Sequence, residues 1–266
     1  MTPTNTKPLN KEHAVQEVIF SLQLSEKITP ASVQKLIELK EILKNDLPKQ
    51  EELRLLSFQF STSQPVSDFP LKTPEDVLAG IILKHTNENE IPDWTVRAEQ
   101  NMIIVNCLDY KGWEKNWPKA LTYLETLAEQ VINENPIKAI NLQYTNIFES
   151  SLKENYNLNE IFSETSPYLT ENIKKGGHLW HLFQGWLEDD AILKSKCLNN
   201  LNLATSIKNQ ELITTVTILR QAQIEDPLQG LSKLDFIMNQ LHIDLKKVLT
   251  TVLASKMAER IGLTNA

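Results

Sequence analysis

Glycine is scarce in this chain, with 7 in 266 residues. The shortage speaks against a Gly-rich nucleotide-binding fold, which uses glycines for its tight turn and for close approach of backbone to phosphate. No P-loop, dinucleotide fingerprint or G-x-S-x-G elbow occurs. Cysteine is scarcer still: Cys107 and Cys197 stand apart from each other and from any histidine. Two lone cysteines point to buried, reduced thiols and a cytoplasmic protein, because a disulfide framework needs more of them. No run of about 18 apolar residues is present, so no membrane span is expected. The N-terminal MTPTNTKPLNKEH lacks the apolar core of a secretory signal. Positive charge is also in deficit, 27 basic residues against 34 acidic for a net charge of −7. With no dense Lys/Arg cluster, duplex nucleic acid is not an expected partner.

What remains is a chain of globular character. Its hydrophobic content of 41% and charged content of 23% are close to ordinary values, which excludes wholesale disorder. Its length suffices for a substantial core in one large domain or two small ones.

Apolar periodicity places the elements. AVQEVIFSLQLS (14–25) alternates and is rich in β-branched residues, so a strand is predicted. Thr29-Pro30 then offers a hydroxyl N-cap with Pro at the first helical position. Val33, Leu36, Ile37, Ile42 and Leu43 follow at helical spacing, ending near Asn45-Asp46. Strands are predicted at 53–61, 79–86 and 95–108, the last turning at Gln100-Asn101, with a loop over 62–76. From Gly112 the spacing of Trp113, Trp117, Leu121, Leu124, Leu127 and Val131 predicts a helix with Pro118 in its first turn. Strands at 137–148, 178–188, 192–207 and 211–222 and a short helix at 157–164 follow, then a turn at Asp226-Pro227. A long helix is expected from Leu231, where Leu231, Leu234, Met238, Leu241, Leu245, Val248 and Val252 form a stripe wide enough to cover a sheet.

The fold class expected from this pattern is α+β, a mostly antiparallel sheet covered by long helices, with two similar lobes as one arrangement. The domain reading is a flexible lead-in over 1–13, an N-terminal α+β lobe over 14–150 and a C-terminal α+β lobe over 151–266, or one continuous domain in place of the two.

Three segments, AVQEVIFSLQL, DYKGWE and AINLQYTNIF, in that order and spacing, resemble a sporadically distributed family of uncharacterised bacterial proteins. Its members show a Tyr-x-Gly-Trp-Glu junction and a Leu-Arg-Tyr-x-Asn strand. The junction is intact here as Tyr110, Gly112, Trp113 and Glu114. The strand keeps Leu142, Tyr144 and Asn146 but has Gln143 in place of Arg, which speaks against a needed positive charge at that point. The resemblance implies no particular ligand or reaction. Its patchy distribution is typical of mobile-island genes and implies a component of a defence or toxin-type operon.

Candidate binding residues are Tyr110, Trp113, Glu114, Trp117, Tyr144 and Asn146. Two tryptophans four residues apart share a helix face, where they either hold a helix onto a sheet or flank a cleft in which a ring stacks; packing is the preferred reading. Glu114 at a helix start favours the macrodipole without any function. Tyr144, Asn146 and Leu142 share one face of a strand, and a buried Asn there must find a hydrogen-bond partner in the protein or a ligand.

His178 and His181 on a strand would face opposite ways and could not chelate one ion, so no metal is expected. Glu188-Asp189-Asp190 reads as a solvated turn. His242, at the edge of the last apolar stripe, reads as an interface histidine. No catalytic residue and no cofactor are assigned. The preferred function is therefore non-enzymatic binding of a protein partner or of a second copy of the chain. The alternative is an enzyme or small-molecule binder whose site lies between the lobes.

Overall fold

IKAINLQYTNIFESS (137–151) forms a single strand of 15 residues, and it organises everything around it. The computed structural model describes residues 6–57, 75–151, 156–225 and 231–263. Among these lie ten strands: β1 (Thr6–Pro8), β2 (Val15–Leu24), β3 (Lys49–Ser57), β4 (Glu75–Thr86), β5 (Pro92–Glu99), β6 (Met102–Cys107), β7 (Ile137–Ser151), β8 (His181–Asp190), β9 (Ser195–Lys208) and β10 (Glu211–Gln223). The helices are α1 (Pro30–Glu38), α2 (Lys40–Leu43), α3 (Trp113–Ala128), α4 (Glu171–Lys175), α5 (Leu234–Val252) and α6 (Ser255–Arg260). The predicted loop over 62–76 lies outside the described residues except for Glu75 and Asp76, which begin β4; the turn at Asp226-Pro227 lies outside them as well.

All strands belong to one antiparallel sheet in the order β3-β4-β5-β6-β2-β7-β10-β9-β8, with β1 pairing β7. The expectation of a sheet covered by long helices, with two lobes as one arrangement, is overturned. β7 pairs β2 along one side and β10 along the other, so the sheet is continuous from edge to edge. The reason is geometric. Nine strands at ~4.8 Å per step make a sheet roughly 38 Å across, and a helix with its side chains is only ~10 Å wide. Only α3, of 16 residues, and α5, of 19, exceed nine residues among the described helices. They lie over the centre, α3 against β6 and β2 and α5 against β7 and β10. The lead-in is also tied down from residue 6 onward: β1 pairs Phe148–Ser150, and Thr6 bonds the Ser150 hydroxyl at 2.9 Å.

Strand alternation sends one residue in two toward the helices. Phe20, Leu142, Ile140, Val105 and Leu201 take that side and are buried. The turns carry their own signals: Thr29 caps α1 by accepting from Ser32 N, and Gln100 takes a left-handed φ of 52° to close the β5–β6 hairpin.

Arg220 on β10 is the one charged residue among the buried side chains of the described residues, being 3% exposed. Its guanidinium donates to Glu188, to Asp190 Oδ2 at 2.6 Å and to Asn199 Oδ1 at 2.7 Å, and lies 3.5 Å from Asp244 of α5. The acidic triplet is therefore not a solvated turn. Glu188 and Asp190 close β8 onto β10 through one buried cation, while Asp189 stays exposed. Burial resists ionisation of Asp190, but hydrogen bonds from Leu193 N, the Arg220 guanidinium and Ile192 N outweigh it and hold its pKa below the ordinary carboxylate value. A carboxylate with a lowered folded pKa stabilises above its unfolded value and loses that contribution as pH falls through the folded one. Arg220→Ala is expected to cost about 3 kcal/mol in urea melts at pH 7, because it leaves the largely buried Asp190 without its counter-charge. The deficit should shrink as the melts are taken below pH 4.

Candidate functional site

Where β6 runs into α3, the chain turns at Gly112 with φ 104° and ψ 157°. That region of backbone space is essentially reserved for glycine. An added Cβ would meet nothing within 4 Å, so the constraint is conformational and not steric. Asn116 holds the turn from inside the helix: its Oδ1 accepts from Lys111 N at 2.7 Å and its Nδ2 donates to Cys107 Sγ at 3.2 Å. The helix starts at Trp113, which puts Pro118 in its second turn and not its first.

This turn delivers both indoles toward α5. Trp113 and Trp117 stack at 5.3 Å and 13°, and Trp117 stacks in turn on Phe20 of β2 at 5.5 Å. Trp117 Nε1 donates to Asp235 Oδ1 at 2.7 Å and Trp113 Nε1 to Asn239 Oδ1 at 2.8 Å. Asn239 Nδ2 donates back to Asp235 Oδ1 at 3.0 Å, closing a chain of bonds across the two helices. Trp117 is buried in this packing. Trp113 packs on one side and lines a cavity with the rest of its surface.

That cavity, of about 400 Å³, lies between the starts of β2 and α3, the centre of β7 and β10, α5 and the end of α6. Tyr110, Trp113, Glu114, Tyr144 and Asn146 all line it; Trp117 does not. Gln143, where the resemblance has Arg, points to the face of β7 opposite the one that carries α3 and α5 and does not enter it. His178 lies in the loop before β8, and His181 bonds Asn202 across the strand pair at 2.7 Å. Among the described residues no group of His, Cys, Asp and Glu is placed to hold a metal ion.

His242, expected as an interface histidine, also lines the cavity. It lies flat on Trp113 with ring centroids 4.1 Å apart and planes 2° apart, and its Nδ1 shares a hydrogen bond with the Tyr144 hydroxyl at 2.9 Å. Its signal was its position: His242, Leu245, Lys246 and Leu249 fall at three- and four-residue intervals on α5, so a cavity lined by one must meet the others. Burial, reinforced by the charge of Lys246, pushes the His242 pKa down to about 4, so the ring is neutral at pH 7. Burial likewise pushes Tyr110 up to about 12 and Tyr144 well above its usual value.

The inner wall is therefore an uncharged aromatic surface, with Glu12, Lys111, Glu114 and Lys246 carrying the charge around it. One polar atom in it is unmet. Asn146, 1% exposed, donates through Nδ2 to Val216 O at 3.3 Å, which sets the amide orientation, and its Oδ1 accepts from no described residue. An unsatisfied buried carbonyl costs about 1–3 kcal/mol.

Both thiols are free and buried, on β6 and β9, with three strands between them. Burial raises both, Cys107 to about 12, so neither is a ready nucleophile. No helix of the described residues is long and apolar enough to cross a membrane. No protein-family model matches the chain, and no curated protein matches it either.

Because the folded His242 ring refuses a proton down to about pH 4 while the unfolded ring accepts one near 6.5, its contribution is complete above pH 6.5 and is lost as pH falls to about 4. The loss is at most roughly 3 kcal/mol. His242→Phe keeps the stack on Trp113 and removes the titration. Urea melts between pH 7 and 4 are expected to give a flatter stability profile for this variant than for the wild type.

Proposed function

We propose that the protein binds a small, flat, uncharged heteroaromatic molecule that carries at least one N–H donor, in the cavity between α5 and the centre of the sheet. The observation that carries this reading is the cavity wall of Tyr110, Trp113 and Tyr144, together with Asn146, whose buried Oδ1 has no partner among the described residues. Rings favour a planar apolar occupant, and a desolvated carbonyl demands a donor. A volume of about 400 Å³ falls within the range of small-molecule sites. Binding is favoured over catalysis because His242 near 4 and Tyr110 near 12 both titrate far from neutrality, where a general acid or base works best. In this reading the protein acts in a reducing cytoplasm, in keeping with its two free thiols, and a role within a defence or toxin-type operon would be exercised through the bound molecule.

The test is a thermal-shift and calorimetric screen with indole, benzimidazole and adenine beside their N-methylated counterparts. A ligand present at 100 times its Kd should stabilise by about 2.7 kcal/mol. At least one N–H probe is expected to do so, with its N-methyl analogue weaker by tenfold or more and the effect lost in Asn146→Leu. If no probe stabilises the protein and native mass spectrometry of the freshly purified chain finds no retained molecule, the reading is wrong.

A further inference from the structure

The two edges of the sheet are built differently. β3, at one end, carries Lys49, Glu51, Glu52 and Arg54 and has a register irregularity between Leu53 and Arg54. Charges and bulges are the usual means by which an edge is kept from pairing with another chain. β8, at the other end, has neither proline nor lysine, pairs β9 in unbroken register, and exposes Phe183 at 62% and Leu187 at 65%. A long, regular edge whose acidic residues are confined to its last three positions, Glu188–Asp190, is a template for strand addition.

The direction of its backbone groups can be read from one bond. Thr205 N donates to Trp180 O at 3.0 Å. In an antiparallel ladder, opposed residues alternate between pairs that exchange hydrogen bonds and pairs that do not. Since Trp180 bonds toward β9, so do the even-numbered residues that follow it in the unbroken register. His181, Phe183, Gly185, Leu187 and Asp189 therefore turn their N–H and C=O away from β9. No described residue meets those groups. The side chains of the same five residues stand on the face of the sheet opposite the side on which Gln184 and Trp186 meet Tyr168.

We infer that β8 pairs with β8 of a second copy of this chain, antiparallel and centred on Gly185. In that register Gly185 opposes Gly185 of the partner, Phe183 opposes Leu187, and His181 opposes Asp189. Every opposed residue is one whose hydrogen-bonding groups already point outward, so each pair can exchange both bonds. The strand is complementary to itself in this register: an apolar side chain meets an apolar one, and the ring that can carry positive charge meets a carboxylate. Pairs of these kinds add stability on one face of an antiparallel ladder. Gly185 opposite itself leaves the two-fold axis free of side chains. The dimer joins two ten-stranded sheets into one, and its interface is isologous, as a two-fold operator requires.

Sedimentation equilibrium of the full chain at 1–200 µM tests this. The wild type is expected to be a reversible dimer. Leu187→Lys and His181→Glu should each raise the dimer Kd at least tenfold, the second by setting Glu against Asp189. Adding Asp189→Lys to His181→Glu should restore the wild-type value to within about threefold. Amide exchange guards against simple misfolding: in the dimer Phe183, Gly185 and Leu187 are protected, and in the weakened variants they exchange freely while Leu182, Gln184 and Trp186 stay protected. A wild type that remains monomeric at 200 µM, a dimer indifferent to Leu187→Lys, or failure of Asp189→Lys to rescue would each overturn the inference.

Discussion

Two indole N–H groups hold the helical layer of this protein in place. Trp117 reaches Asp235 and Trp113 reaches Asn239 from one turn of α3, and both acceptors lie one turn apart on α5. The helices therefore meet through polar bonds at the top of an aromatic stack that rests on Phe20. An arrangement of apolar contacts alone would let α5 settle onto β7 and β10 wherever density was greatest. Directional bonds fix its height and azimuth instead, since an indole N–H has one donor direction and a lost partner for it is costly. The cavity beneath α5 is a consequence. His242, carried on the same helix, lies flat on Trp113 and meets the sheet only through the Tyr144 hydroxyl, and the space beside it is bounded by Tyr144 and Asn146.

The same pair of tryptophans thus serves packing and lining at once, divided between its members. Trp117 gives its whole surface to Phe20, Trp113 and α5. Trp113 gives one face to Trp117 and another to His242, and what remains borders the cavity. The result is an apolar site with neutral hydrogen-bonding groups at its base and charges held to its surroundings.

Local features of this fold were legible in the sequence because they depend on local rules. The Thr29-Pro30 start of α1, the hairpin at Gln100-Asn101 and the stripe of α3 all declare themselves within a few residues. Five of the six candidate binding residues come together at the cavity for the same reason: Tyr110, Trp113 and Glu114 share one junction, and Tyr144 and Asn146 share one strand face. What periodicity cannot show is which strands become neighbours. β2 lies more than a hundred residues from β7, yet their pairing is what makes one sheet where two lobes stood beside one continuous domain as the arrangements expected. Glu188 and Asp190 resemble a polar turn until the register of β8, β9 and β10 brings Arg220 to them. His242 looked like interface filling because its importance comes from Trp113, whose approach is set by the turn at Gly112.

The central claim, that polar clasps between α3 and α5 set the helical layer, is tested most directly by a double-mutant cycle on Trp117 and Asp235. Trp117→Phe retains the stack on Phe20 and removes the N–H; Asp235→Ala removes the acceptor. Bonds to a charged group in a partly buried setting contribute about 1.5–3 kcal/mol. The account predicts a coupling energy in that range from urea melts of the two single variants and the double variant. A coupling near zero, with the two losses simply adding, would show that α5 is seated by apolar contact alone and would contradict it.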